Sequence, residues 1–247
     1  MNKKALRALI DNARSQGRTA LTAPEAQQLC DAYGIPTPKQ GLAKTAADAV
    51  KIAARLRYPV VLKIVSQDIL HKTEAGGVIV GLEKAADVRS AFNRLVRNAK
   101  AYRKNAAIEG VQVQQMLNGG QEVMVGGVTD PSFGKLIAFG LGGVLVEVLN
   151  EVSYRIAPFG PEEAHAMIGE LKARAVFDGT RGGPPRDLDA LAATLVQVSV
   201  LAWRLRDRLD ELDINPLLVR PRGQGVVAAD ALIVLRQQSL APAPKGC

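Results

Sequence analysis

The sequence predicts an α/β (α+β) fold of two subdomains, and three observations carry that prediction. Through the first half of the chain, short apolar runs bounded by turn residues alternate with stretches whose apolar residues recur at helical spacing. After residue 117 the pattern changes to strands joined by tight turns. With 247 residues, 47% of them apolar, the chain buries more core than one small module requires.

The first eighteen residues hold five Lys/Arg and one acid, with Leu6, Leu9, Ile10 and Ala13 at helical spacing. They read as a short extra surface helix; the alternative, an organellar transit peptide, is opposed by Asp11 and the low serine content. Thr22 is placed to cap a helix with Pro24 and Glu25 in its first turn, and Gly34 to stop it. Residues 35–38, IPTP, must be extended. Thr45 caps a second helix that runs to about Arg57. Residues 58–80, YPVVLKIVSQDILHKTEAGGVIV, form two strands around a polar loop. A long amphipathic helix follows over 83–104, with Val88, Phe92, Leu95 and Val96 on one face. Residues 110–117 form the next strand.

Residues 121–129 and 135–140 read as a hairpin around DPSFG at 130–134, and 144–149 and 153–157 as its continuation. Gly140, Gly142 and Gly143 do not make a dinucleotide fingerprint, because the residues after them are β-branched and apolar rather than a helix start. A short helix over 161–171 carries His165 on its surface. GTRGGPP at 179–185 is a loop before a helix from Asp187 to about Leu209, on which Trp203 faces the core or a subunit interface. A closing hairpin, 211–220 and 225–234, carries Glu211, Asp213, Asn215 and Asp230, and a disordered tail is expected at 241–247.

Composition narrows the functions. Cys30 and Cys247 are too few and too far apart for a disulfide framework or a structural zinc site. A net charge of +8 suits a nucleic-acid partner, but aromatics are only 4% and no nucleic-acid motif is present. Phosphorylated small molecules or an acidic protein are the anionic partners that remain. No apolar run approaches the roughly 20 residues of a membrane span. No signal peptide is visible either, so no membrane partner is expected and the expected compartment is cytoplasmic.

Two stretches carry chemistry. Lys63 leaves a buried strand as a fixed positive charge, and Gly76 and Gly77 let backbone N–H groups approach an anion, which together suit a phosphate. His71, on the loop between them, is a residue type that acts as nucleophile or proton carrier near neutral pH; the same position suits a plain surface histidine. In the closing hairpin, Asp213 and Asn215 share a strand face and Asp230 lies on the paired strand, an oxygen-donor set suited to magnesium.

In order along the chain, YGIP (33–36), the 58–78 stretch, QEVMVGGVTDPSFG (121–134), FGLGGVLVEVL (139–149), RGGPP (181–185) and ELDINPL (211–217) resemble the ATP-grasp β subunit of the NDP-forming acyl-CoA synthetases. Succinyl-CoA synthetase β subunits are more distantly similar. The resemblance covers residues 21 to 235 and implies an ATP-grasp fold with nucleotide between its subdomains. These are expected at 21–113, with the histidine loop, and at 114–236, with the metal site; residues 1–20 form a basic extension and 237–247 a flexible tail.

It further implies that His71 is a transient phosphoryl carrier. Lys63, Gly76 and Gly77 would bind nucleotide phosphates, Gln114, Gln115, Met116 and Leu117 would hold adenine, and Glu122 the ribose. Arg155 would add positive charge, and Asp68 or Glu74 would orient the imidazole. Asn215 and Asp230 would ligate magnesium, with Asp213 in support. The cofactors are ATP/ADP and Mg2+. The implied reaction is reversible conversion of acyl-CoA, ADP and phosphate into acid, CoA and ATP. The chain lacks a CoA-binding Rossmann unit, so a CoA-binding α subunit is the expected partner, in an α/β heterotetramer, with the carboxylic acid and CoA reaching the chain through it. Thr180, where the family more often has tyrosine, and the long leader depart from the pattern. Two alternatives stay open: an ATP-grasp carboxylate ligase that forms an acyl phosphate directly, with His71 dispensable, and a nucleotide-binding scaffold subunit without turnover.

Overall fold

The computed structural model describes residues 3–142, 151–179 and 183–237. The strand expected at 144–149, Thr180, Arg181, Gly182 and the tail at 241–247 lie outside the described residues.

The chain opens with α1 (Lys3–Ser15) and α2 (Ala23–Ala32). Pro24 occupies the first turn of α2, and the Glu25 carboxylate accepts the Thr22 N–H at 2.8 Å and the Thr22 hydroxyl at 2.9 Å. Gly34, at φ +79°, ends the helix in the left-handed conformation that the sequence assigns to it.

β1 (Gln40–Ala43), α3 (Ala46–Leu56), β2 (Val60–Ser66), β3 (Val78–Leu82), α4 (Ala85–Tyr102) and β4 (Ile108–Gln115) follow. Their strands form an antiparallel sheet in the order β1-β4-β2-β3. Val88, Phe92 and Leu95 of α4 and Ala49 and Ala53 of α3 pack with Val60, Leu62, Ile64, Val111 and Val113 in one core. β2 is buried along its whole length, which is why it reads as a continuous apolar run.

β5 (Gln121–Asp130), β6 (Gly134–Leu141), β7 (Val152–Ile156), α5 (Pro161–Gly169), a 3-10 turn (Arg174–Phe177), α6 (Leu188–Arg204), β8 (Leu209–Val219), β9 (Val226–Ala228) and β10 (Ala231–Leu235) complete the chain. The second sheet runs β10-β8-β5-β6-β7, with β9 paired to β8. Its core gathers Val125, Ile137, Phe139, Leu212 and Ile214 with Leu191, Leu195 and Val198 of α6.

Packing divides the chain differently from the sequence in three places. Leu6, Ile10 and Ala13 of α1 and Ala26, Leu29 and Cys30 of α2 belong to the core of the second sheet, so the N-terminal helices pack with elements more than a hundred residues away. Leu21 donates its N–H to Ile233 O at 2.9 Å and ties this segment to β10. The reason is space: α3 and α4 already cover the first sheet. The closing hairpin is interrupted between β9 and β10, and Asp230 stands in that break rather than on a strand. The helix expected to reach Leu209 ends at Arg204, because Leu209 must enter β8.

Among the described residues no helix is long and apolar enough to cross a membrane.

Candidate active site

The two sheets enclose a cleft of about 360 Å³. Val61, Lys63, Val78, Val80 and Gln114 come from the first sheet, Glu122, Asn215, Leu218 and Asp230 from the second region, and Met116 and Leu117 from the crossing between them. Strand alternation makes this arrangement: Val60, Leu62 and Ile64 enter the helix-covered core, so Val61 and Lys63 emerge on the opposite face. Lys63 is buried, and its ammonium donates to Ala229 O at 2.8 Å and lies 3.6 Å from the Asp230 carboxylate. Burial pushes the Lys63 pKa down, the Asp230 charge opposes that, and nearby Lys72 adds to the depression. Gln114 Nε2 donates to the same Ala229 carbonyl at 3.2 Å.

A second cavity, of about 230 Å³, adjoins the first. The loop residues His71, Lys72, Thr73 and Glu74 face Asp213, Asn215, Asp230 and Leu232 across it. Thr73, Asn215 and Asp230 line both cavities and form their common wall. The loop is anchored on both sides of the histidine by buried Ile69 and Ala75, while His71 itself is exposed. Among the described residues nothing hydrogen-bonds the His71 imidazole. Asp68 is occupied elsewhere: it accepts the Ala107 N–H at 2.7 Å and pairs with Arg103 at 3.6 Å. Glu74 shares the cavity with His71.

Gly76 and Gly77 do not line the cleft; their chemistry is that of close packing. A Cβ on Gly77 would stand 2.6 Å from Ile64 Cγ2 and 2.8 Å from Lys72 O, and Gly76 has φ +57°. Gly77 lets the histidine loop lie against β2, and Gly76 lets it pass Asn98 of α4. Gln115 also faces away from the cleft and donates its N–H to Lys39 O at 2.9 Å.

Asp213, Asn215 and Asp230 meet at the second cavity, with Asp213 registered opposite Leu232. Burial, reinforced by the charges of Glu211 and Asp230, pushes the Asp213 pKa up to about 6. Among the described residues no three His, Cys, Asp or Glu side chains gather as a metal cluster. Two carboxylates and an amide oxygen nevertheless fit magnesium, which takes one or two carboxylates and leaves its other positions to phosphate oxygens and water.

Arg155 stands apart from this group. On β7 its guanidinium is held by Glu163 at 2.6 Å and by Glu170 at 2.5 Å, and it lines neither cavity. Two contributors escape the sequence reading. Lys72 places its ammonium 3.2 Å from Asp230, a role that its position beside His71 could have signalled. Gln27, on α2, is buried against the glutamines of β4, and no local pattern marks it.

Two antiparallel sheets closing on a cleft, with a buried lysine on one side and oxygen donors on the other, define an ATP-grasp domain. The ATP-grasp domain family matches residues 12–235. The β subunit of the ADP-forming acetate–CoA ligase II of Pyrococcus furiosus is 41% identical over 96% of this chain and all of that one. The ADP-forming 4-hydroxybutyrate–CoA ligase of Nitrosopumilus maritimus is 40% identical over 95% of this chain, which spans 34% of that longer protein. A solved structure of the dinucleotide-forming acetyl-coenzyme A synthetase 1 of Ca. Korarchaeum cryptofilum, in complex with coenzyme A and Ca-AMPCP, superposes with a TM-score of 0.89 at 38% identity, over 93% of this chain and 99% of that one. In a second structure of that synthetase, with Mg-AMPPCP, a phosphohistidine segment points towards the nucleotide binding site; the TM-score is 0.79 at 35% identity, over 94% of this chain and 100% of that one. The chain belongs to the family of ATP-grasp β subunits of the ADP-forming acyl-CoA ligases.

Proposed function

We propose that this chain is the nucleotide-binding subunit of an ADP-forming acyl-CoA synthetase, an acid–thiol ligase. In this proposal His71 carries a phosphoryl group between a phosphohistidine or acyl phosphate supplied by a CoA-binding partner subunit and ADP. The observation that carries the proposal is the common wall of Thr73, Asn215 and Asp230, which sets the histidine loop and the Lys63 cleft side by side.

Each residue then has a task. Val61, Val78, Met116 and Leu218 give the cleft an apolar bed for a base, and Glu122 is placed to accept ribose hydroxyls. Lys63 and Lys72 supply positive charge to phosphate oxygens. Magnesium, when held by the oxygens of Asn215, Asp230 and Asp213, would neutralise charge between the phosphates. In the first transfer an imidazole nitrogen of His71 forms a bond to phosphorus as the partner's N–P or acyl O–P bond breaks. In the second, a β-phosphate oxygen of ADP attacks that phosphorus, the His71 N–P bond breaks, and ATP results. Each is an in-line displacement in which the protein positions the groups and neutralises their charge. An imidazole without a hydrogen-bond partner among the described residues, on a loop pinned at Ile69 and Ala75, is free to turn between donor and acceptor. In this proposal the α/β assembly works in the cytoplasm.

The test is incubation with γ-labelled ATP and magnesium, with and without the CoA-binding subunit. An acid-labile, base-stable phosphate that is absent from His71→Ala is the expected outcome. Full ligase turnover by His71→Ala would overturn the carrier role.

A further inference from the structure

The second sheet is covered by helices on one face and, among the described residues, exposes part of the other. Val123, Val125, Ile137, Phe139, Leu212 and Ile214 enter the core. The alternate residues face away from it, and the register aligns them in rows across the strands. Asp213 stands opposite Gly126, Gly126 opposite Ala138, and Ala138 opposite Tyr154. In the next row Val128 stands opposite Leu136, and Leu136 opposite Ile156.

Three features single this face out. Of the eight large apolar side chains exposed among the described residues, Val128, Tyr154 and Ile156 lie on it and Phe133 lies at the turn beside it. The outward positions from Met124 to Val128, Leu136 to Gly140 and Val152 to Ile156 are all uncharged, in a chain whose net charge is +8. The row that ends at Tyr154 passes through Asp213, which lines the His71 cavity. An uncharged face that carries exposed apolar side chains therefore runs, by way of Ala138 and Gly126, to the place where a phosphoryl group would arrive.

We infer that this face is the docking surface of the CoA-binding subunit. Its small residues, Gly126 and Ala138, leave a flat floor along which a partner segment reaches His71; Tyr154, Ile156 and Val128 anchor it. The inference rests on the proposed phosphoryl hand-over, which requires a partner at that cavity, and continuity with the cavity is what selects this occupant.

The experiment uses the holoenzyme purified with its CoA-binding subunit. Hydroxyl-radical footprinting should show several-fold less oxidation at Tyr154, Ile156 and Phe133 than in the isolated chain, with Tyr102 unchanged. Ile156→Glu, at a position already exposed to water, should weaken subunit association by about tenfold or more while leaving the isolated chain's affinity for AMPPCP unaltered. Equal oxidation in both states, or undiminished association of the variant, overturns the docking surface. So does protection in the isolated chain that disappears on dilution, which assigns the face to a second copy of this chain. If the carrier role alone fails, His71 stays unlabelled while the protection persists; if docking alone fails, His71 is labelled and the protection is missing.

Discussion

Lys63 shows how burial prepares a side chain to bind an anion. Its ammonium has two partners, the Ala229 carbonyl and Asp230, and Asp230 is shared with Lys72. A cation so far removed from water gains strongly from a phosphate. Lys63→Met keeps the stem and removes the charge, and should lower AMPPCP affinity about ten- to a hundredfold, the range of a charge-assisted contact. Calorimetric titration checks this, and an unaltered affinity would take Lys63 out of the site. Glu25 offers a test of stability at the same scale. Although burial alone would raise its pKa, hydrogen bonds from Arg18 and Thr22 hold it below the ordinary carboxylate value. The stability from such a group is complete above the unfolded pKa, near 4.5, and is lost as pH falls through the lower folded value. Glu25→Gln should thus lose about 1–3 kcal/mol at pH 7 and show a flatter acid limb below pH ~4.5 in urea unfolding series. The placement of Lys63 and His71 at the two cavities was legible because each sits in a short motif. The engagement of Arg155 was not, because its carboxylate partners are placed by the packing of α5 on β7.

At the scale of elements, caps and apolar runs were legible because they are local. Thr22 with Pro24, Thr45, and the buried run of β2 fall where the sequence puts them. Which sheet a helix covers is a long-range outcome, and the apolar stripe of α1 carries no mark of its distant partner. The histidine loop lies between these cases: its two strands were legible, whereas the glycines read as an anion cradle turned out to allow close packing on β2 and α4. Gly77→Ala forces a methyl group against Ile64 and the Lys72 carbonyl, so the loop must shift. The expected result is a loss of about 1–3 kcal/mol in unfolding free energy, together with slower labelling of His71. A variant with full stability and normal labelling would show that the loop tolerates displacement.

At the scale of the whole molecule, a buried chain of amides joins the two sheets. Gln112 Nε2 donates to Gln40 Oε1 and to Gln27 Oε1, the latter at 2.9 Å; Gln27 Nε2 reaches Gln114 Oε1 at 3.4 Å; and Gln114 Nε2 ends on Ala229 O at 3.2 Å. Gln27 is carried by α2, which belongs to the second core, while Gln112 and Gln114 belong to β4 of the first sheet. The chain thus crosses between the subdomains three times and finishes on the carbonyl that holds Lys63. These hydrogen bonds tie one sheet to the other beside the cleft. Gln27→Leu preserves the volume of the side chain but leaves the Gln114 oxygen without its donor and Gln112 with one acceptor fewer. Unsatisfied buried groups of this kind cost about 1–3 kcal/mol, and urea unfolding should report that loss. If the chain only stabilises the fold, AMPPCP affinity will not move. If it sets the cleft, affinity will fall in Gln27→Leu, although the side chain at position 27 lines neither cavity.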